Sequence, residues 1–259
     1  MIESWLSLPL PALVLALAGF YAAAALALCW LSFGPRTGAW AQAFRGVVGP
    51  YFTSTAIILG LLVGFLANDI WDRNQQAERS VLAERDGLLN LYNLATLSGA
   101  AGDGLRDAIR AYARAVVEKE WPQLARQNSS TEATAALDDL VRRVARGSPA
   151  APEGASLDAT LLDAVMEVRA AREARLALSV DRTEGTKWAA ALILAVTTQI
   201  GLALVHLEKP RPQAAALAVF SFSIVVLFAL LAAHEAPFRP PLFVSPAPIA
   251  AVLAIVPGT

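Results

Sequence analysis

The residue types that usually carry bond chemistry are scarce. The chain of 259 residues has two histidines, His206 and His234, and a single cysteine, Cys29. No Ser/His/Asp or Cys/His nucleophilic arrangement and no zinc-ligand spacing can be built from so few. The sequence also contains no P-loop, no Rossmann glycine pattern and no His-Glu-x-x-His motif. His234 and Glu235 follow an apolar segment, where a histidine reads more readily as an interfacial anchor than as an acid or base. No catalytic residue, cofactor or metal is therefore expected, and the protein is not expected to be an enzyme. The sequence offers a physical device instead. Thr53, Ile57, Leu61, Phe65, Asp69 and Arg73 recur every four residues, so a ridge of large apolar side chains runs into charged ones along one gently rotating helix face. Gly60 and Gly64 lie beside that ridge, and a Gly-xxx-Gly pair lets a second helix approach closely in lipid. If copies of this helix surrounded an axis, Ile57, Leu61 and Phe65 would stack as an apolar neck that gates by dewetting. Asn68, Asp69, Asp72 and Arg73 would then occupy its wetter mouth. Spacing alone is met equally by a ridge that touches lipid or a neighbouring helix.

The elements that must position this ridge are membrane helices. Apolar residues make up 56% of the chain, charged residues only 17%, and the mean hydropathy is +0.49, a profile too apolar for an ordinary soluble domain. Twenty-two acidic residues balance 21 basic ones, so no field or basic stripe attracts nucleic acid. Four windows are long and apolar enough to cross a bilayer: about residues 10–33, 51–70, 188–207 and 213–233. The first lacks a basic n-region and is too long for a signal h-region, so it is expected to remain a span. Leu28 stands where a lipoprotein signal needs a small residue, so Cys29 reads as an inert helix residue.

Lysines and arginines near the span ends set the orientation. Arg73, Arg79, Arg85, Arg175, Arg182, Lys187 and Arg239 lie on the side of the termini and middle region, against Arg36, Arg45, Lys209 and Arg211 on the other. Both termini and the middle region are thus expected in the cytoplasm; the Ala- and Arg-rich composition points to a bacterium, and a bacterial inner membrane is the expected location. The organisation is an N-terminal pair of spans (1–71), a helical region (72–185), a C-terminal pair (186–233) and a short tail (234–259).

The region from Asp72 to Gly185 has no alternating β-type run and reads as helices only. No breaker separates it from the second span, where Asp69 to Leu97 holds no proline and one glycine, Gly87. That helix is expected to run on as a rod with Val81, Leu82, Leu88, Leu89, Leu91 and Leu94 as its apolar stripe. A helix capped by Asp103 presents Leu105, Ile109, Tyr112, Val116 and Trp121 before Pro122. Ser129 with Glu132 reads as a capping box for a helix carrying Leu137, Leu140, Val141 and Val144 and ending at Gly147. After the linker 147–154, Ser156 caps a last helix with Leu157, Leu161, Val165 and Val168 on one stripe. Arg169, Arg172, Glu173 and Arg175 form a charged face on that helix, read first as solvated. The tail segment 246–259 is apolar but too short to cross the bilayer, and is expected to pack on the membrane surface or on another subunit.

The run from Gly64 to Arg73 resembles the bacterial bestrophin pattern: Gly-Phe, then Asn68, the aromatic Trp71, the acidic Asp72 and Arg73. Similar features of the bestrophin-like domain family, once a domain of unknown function, are Trp71-Asp72-Arg73, Glu84 in a Leu-rich helix, Tyr112 and Glu120-Trp121-Pro122. Its tail is similar as well, with Ala236-Pro237-Phe238 and Val244-Ser245-Pro246. The resemblance covers about residues 47–122 and 165–248. It implies an all-α, four-span, bestrophin-like fold with a helical cytoplasmic region between spans two and three. It also implies a homo-oligomer, five-fold in bestrophins, that passes small inorganic ions, mostly chloride and other anions, with Ile57, Leu61 and Phe65 as the neck. Asn74 and Gln75 replace the aromatic residues that bestrophins place after Arg73, and the acidic run of their calcium clasp is reduced to Glu235. Apolar neck side chains set little charge preference, and Asp69 and Asp72 would favour cations, so selectivity stays open. A membrane-anchored regulatory or scaffold protein acting through its cytoplasmic helices accounts equally well for the amphipathic faces.

Overall fold

A computed structural model of the protein describes residues 8–46, 49–97, 102–146 and 154–256. These residues form helices and turns, and no strand occurs among them. The chain falls into two compact units, one of Met1–Trp71 with Thr183–Glu235, the other of Asp72–Arg182 with Ala236–Thr259. Among the described residues the protein is thus all-helical, as expected.

The first unit holds α1 (Leu10–Phe33), a short α2 (Gly38–Gln42), the first part of α3 (Gly49–Leu97), α8 (Gly185–Val205) and α9 (Pro210–Ala233). Among the described residues, four helices are long and apolar enough to cross a membrane. The starts of α1 and α9 follow from Pro11 and from Pro210 and Pro212, whose fixed φ and missing N–H suit the first helical turn. Lipid offers no hydrophobic drive for helix association, so packing and buried polar contacts hold the unit. Leu13, Leu17, Tyr21, Leu59, Val63, Trp188 and Phe228 form its core. The Gln199 amide donates to the Tyr21 carbonyl at 3.2 Å and to the Ser221 hydroxyl at 2.9 Å, and that of Gln213 donates to Ser32 Oγ at 3.0 Å.

The second unit holds the remainder of α3, α4 (Asp103–Ala115), a π-helical turn (Val116–Glu120), α5 (Trp121–Leu124), α6 (Thr131–Arg146), α7 (Gly154–Val180) and α10 (Ala247–Ile255). The rod expected after the second span is present, because α3 runs unbroken over 49 residues. At Gly87 it meets α7: a Cβ there would lie 2.9 Å from Val168 Cγ2, so the single glycine of this stretch marks a close crossing. The five-residue step from Val116 to Trp121 is the π turn. It inserts one residue and re-phases the helix so that Val116, Glu120, Trp121 and Leu124 all face the core.

Several termini differ from the sequence expectation. Asp103 is the first helical residue, paired with Arg106, and Gly102 holds the N-cap position. The cap of α6 is Ser130 and not Ser129: its hydroxyl oxygen accepts the N–H groups of Glu132 and Ala133 at 3.1 and 3.2 Å. The described part of α7 begins at Gly154, which puts Ser156 inside the helix. Gly147 and the linker as far as residue 153 lie outside the described residues. The described tail packs into its own second unit. Ile249, Val252 and Val256 are fully buried in the second unit, and Arg110 Nη1 donates to the carbonyls of Leu253 and Val256 at the end of α10. A cation at a helix C-terminus satisfies carbonyls that have no intrahelical partner and complements the helix dipole.

Candidate functional site

In the first unit, α3 buries Leu59, Val63, Leu66 and Ile70 and turns the opposite side outward. Ile57, Leu61 and Phe65 lie on that outer side and are 57%, 61% and 69% exposed, with Ile58 beside them. An open row of large apolar side chains on a span needs lipid or another protein surface to cover it. Gly60 and Gly64 are open too: a Cβ on either would meet nothing within 4 Å. The Gly-xxx-Gly pair is therefore not used in packing within the chain, in contrast to Gly87.

The charged continuation of the ridge lies elsewhere. Four residues of an α-helix turn it by about 400°, so an i, i+4 row drifts by about 40° per step. Three steps carry Asp69 well round from Ile57, and its carboxylate pairs with Lys187 Nζ at 2.5 Å. In the second unit Arg73 pairs with Asp181 at 3.4 Å. The residues that do keep to the outer side are Asn68 and Asp72, both exposed, and Asp72 accepts a hydrogen bond from Gln76 at 2.7 Å. Trp71 stacks on His234 at 5.3 Å between ring centroids and 23° between planes. Glu235 is buried and occupied: it accepts the Thr183 N–H at 2.8 Å and the Trp188 indole N–H at 3.2 Å. No group of three or more metal-ligating side chains occurs among the described residues.

The remaining motif residues meet inside the second unit. Glu84, Glu120 and Arg175 are fully buried, and Arg172 nearly so. Arg175 donates to Glu84 Oε2 at 2.7 Å and Oε1 at 3.1 Å, and to Glu120 Oε1 at 2.7 Å. Arg172 grips Glu120 through Nε and Nη2 and reaches Thr134 Oγ1, while the Tyr112 hydroxyl donates to Glu84 at 2.6 Å. Trp121 lies under the Arg175 guanidinium at 5.2 Å and edge-on to Phe238 at 5.7 Å, and Pro122 opens α5 behind it. Two carboxylates and two guanidiniums cancel in charge, the condition under which ions survive burial. Of the charged face expected on α7, only Arg169 and Glu173 form a solvated pair. Arg172 and Arg175 were legible as buried: they continue the row Leu161, Val165, Val168 at steps of four and three, and an arginine on an apolar stripe demands a buried carboxylate.

Burial alone would raise the Glu120 carboxyl, but the hydrogen bond from Arg172 and the charges of Arg175 and Arg172 outweigh it and hold the group below the usual carboxylate range. Burial, then the charge of Glu84, push the Tyr112 phenol well above its usual value. A depressed carboxyl contributes stability that is complete above its unfolded value of about 4.3 and is lost as pH falls through the folded one. A raised phenol contributes stability that is complete below about 10 and is lost as pH rises beyond. The melting temperature of the detergent-purified protein is thus expected to be level near neutrality and to fall below about pH 4. Glu120→Gln should flatten the acid limb, and an acid limb unchanged in that variant would exclude Glu120 as its source.

The Bestrophin-like domain matches residues 19–249. No curated protein is similar to the chain in sequence. Two solved structures of a bacterial bestrophin homologue from Klebsiella pneumoniae are similar to it in fold. One, a point mutant, has a TM-score of 0.68 at 12% identity, covering 94% of this chain and 97% of that one. The other has a TM-score of 0.63 at 13% identity, covering 94% of each chain.

Proposed function

Since the chain belongs to the bestrophin-like domain family, we propose that it is an oligomeric ion channel, with several copies of α3, five by the family's habit, surrounding an axis. The single observation that carries this reading is the uncovered row Ile57, Leu61 and Phe65 on the outer side of a membrane-spanning helix. Around an axis that row becomes a neck wide enough for ions only when wetted, and Gly60 and Gly64 give the next copy of α3 room to approach. Asn68 and Asp72 then line the mouth below.

Small anions such as chloride are the proposed permeant ions. The Lys187 contact supports this, because it neutralises Asp69 and leaves the mouth less acidic than the sequence suggests. The termini and the second unit are assigned to the cytoplasm of a bacterial inner membrane on the lysine and arginine count.

Ion flux from liposomes holding the purified protein tests the proposal. Potentials that follow an imposed chloride gradient are expected. Potentials that follow potassium instead would overturn the anion assignment. No flux from a folded oligomer would overturn the channel and favour an anchored scaffold acting through the second unit.

A further inference from the structure

A groove of about 430 Å³ runs along the first unit between α1 and α9. Small side chains line much of it, Ala18, Ala22 and Ala25 from α1 and Ala214 and Ala218 from α9, and Phe222 lines it as well. From Ala18 to Cys29, the last α1 residue lining it, eleven steps of 1.5 Å give about 16 Å, half the hydrocarbon thickness of a bilayer. The groove runs from just short of the middle of α1 to one turn from the end where α1 closes at Phe33 and α9 opens at Pro210.

That end is basic and aromatic. Arg36, Arg45, Lys209 and Arg211 are all exposed there, with Glu208 as the nearby acidic residue. None of the four basic side chains has a salt bridge among the described residues. Trp30 and Trp40 are 59% and 65% exposed, and Trp40 packs edge-on to Phe44 at 5.0 Å, as in the aromatic belt of a membrane interface. These four positive charges stand on the minority side of the lysine and arginine count.

We propose that the groove binds an anionic phospholipid, one acyl chain lying between α1 and α9 and the phosphate held by Arg36, Lys209 and Arg211. The chain-length match supplies the apolar half of the recognition and the basic end the charged half; a neutral lipid satisfies only the first. This site is independent of ion conduction.

Native mass spectrometry and thermal melting of the full-length protein, with phosphatidylglycerol or phosphatidylcholine added, test it. Wild type is expected to retain phosphatidylglycerol in preference and to melt higher with it. Ala22→Phe, which fills the groove, should abolish retention of phosphatidylglycerol while leaving the melt in phosphatidylcholine unchanged; Ala218→Val offers a milder block should the phenylalanine not be tolerated. Arg36→Gln and Arg211→Gln should each lower the preference about fivefold, the value of one basic residue near an anionic surface. Equal retention of both lipids by wild type would overturn the proposal. So would wild-type retention in both groove variants, or loss of the oligomer with retention intact, which would assign the groove to contact between copies.

Discussion

Replacing Phe65 with alanine is expected to raise ion flux severalfold without changing the fold. Phe65 is the most exposed of the three ridge residues at 69%, and its ring touches no other ring among the described residues, so truncation leaves no cavity inside the unit. In the proposed ring it is the bulkiest component of the neck, repeated once per copy. Removing it widens the constriction and lowers the cost of wetting, and a barrier lower by about 1.4 kcal/mol is already tenfold in rate. The same substitution at Ile58, also exposed at 52% but off the i, i+4 row, should change flux little. Equal currents from wild type and Phe65→Ala in the liposome assay would remove Phe65 from the pore, and a rise with Ile58→Ala alone would re-register the helix about the axis.

Arg175→Ala is expected to destabilise the second unit by about 3–5 kcal/mol, the usual cost of stripping one partner from a buried ion pair. Glu84 would keep only Tyr112 as a donor, and Glu120 only Arg172 and the Ser130 N–H. Both carboxylates would then be buried short of compensating charge. The pair Arg175→Met with Glu84→Gln should recover much of the loss, because it removes the uncompensated charge with the cation. Arg169→Ala, which removes only an exposed pair with Glu173, should stay within about 0.5 kcal/mol. Chemical unfolding of the detergent-purified protein followed by helical circular dichroism measures all three, and an Arg175→Ala loss no larger than that of Arg169→Ala would show that the buried cluster is not holding the unit.

The membrane helices were legible because lipid imposes a length and a composition, and α1 begins and ends where the hydropathy does. The rod after the second span was legible from the lack of any breaker, and the core faces from their spacing. What misled was chemistry that two neighbours share. Ser129 and Ser130 both satisfy a capping pattern, and the choice falls to Ser130 because its own N–H reaches the buried Glu120. Arg172 and Arg175 have the composition of a solvated face, and only their register with Val168 betrays burial. The tail reads as membrane-seeking by hydropathy, yet its apolar side chains cover the second unit and Arg110 ends its helix. At the candidate site, a straight four-residue row suggested one continuous face, and the drift of the helix separates the apolar ridge from Asp69 and Arg73.

The π turn between Val116 and Glu120 has an evolutionary consequence. It amounts to a single inserted codon, and deleting that codon would return the helix to α geometry and rotate everything after it by about 100°. Glu120 would swing off Arg172 and Arg175, and Trp121 would leave its guanidinium. Insertion, carboxylate and both arginines are therefore a linked character. Lineages that lose the extra residue should lose the arginines in the same step, and an alignment gap at this turn should sort relatives by whether their α7 stripe carries cations or hydrocarbons.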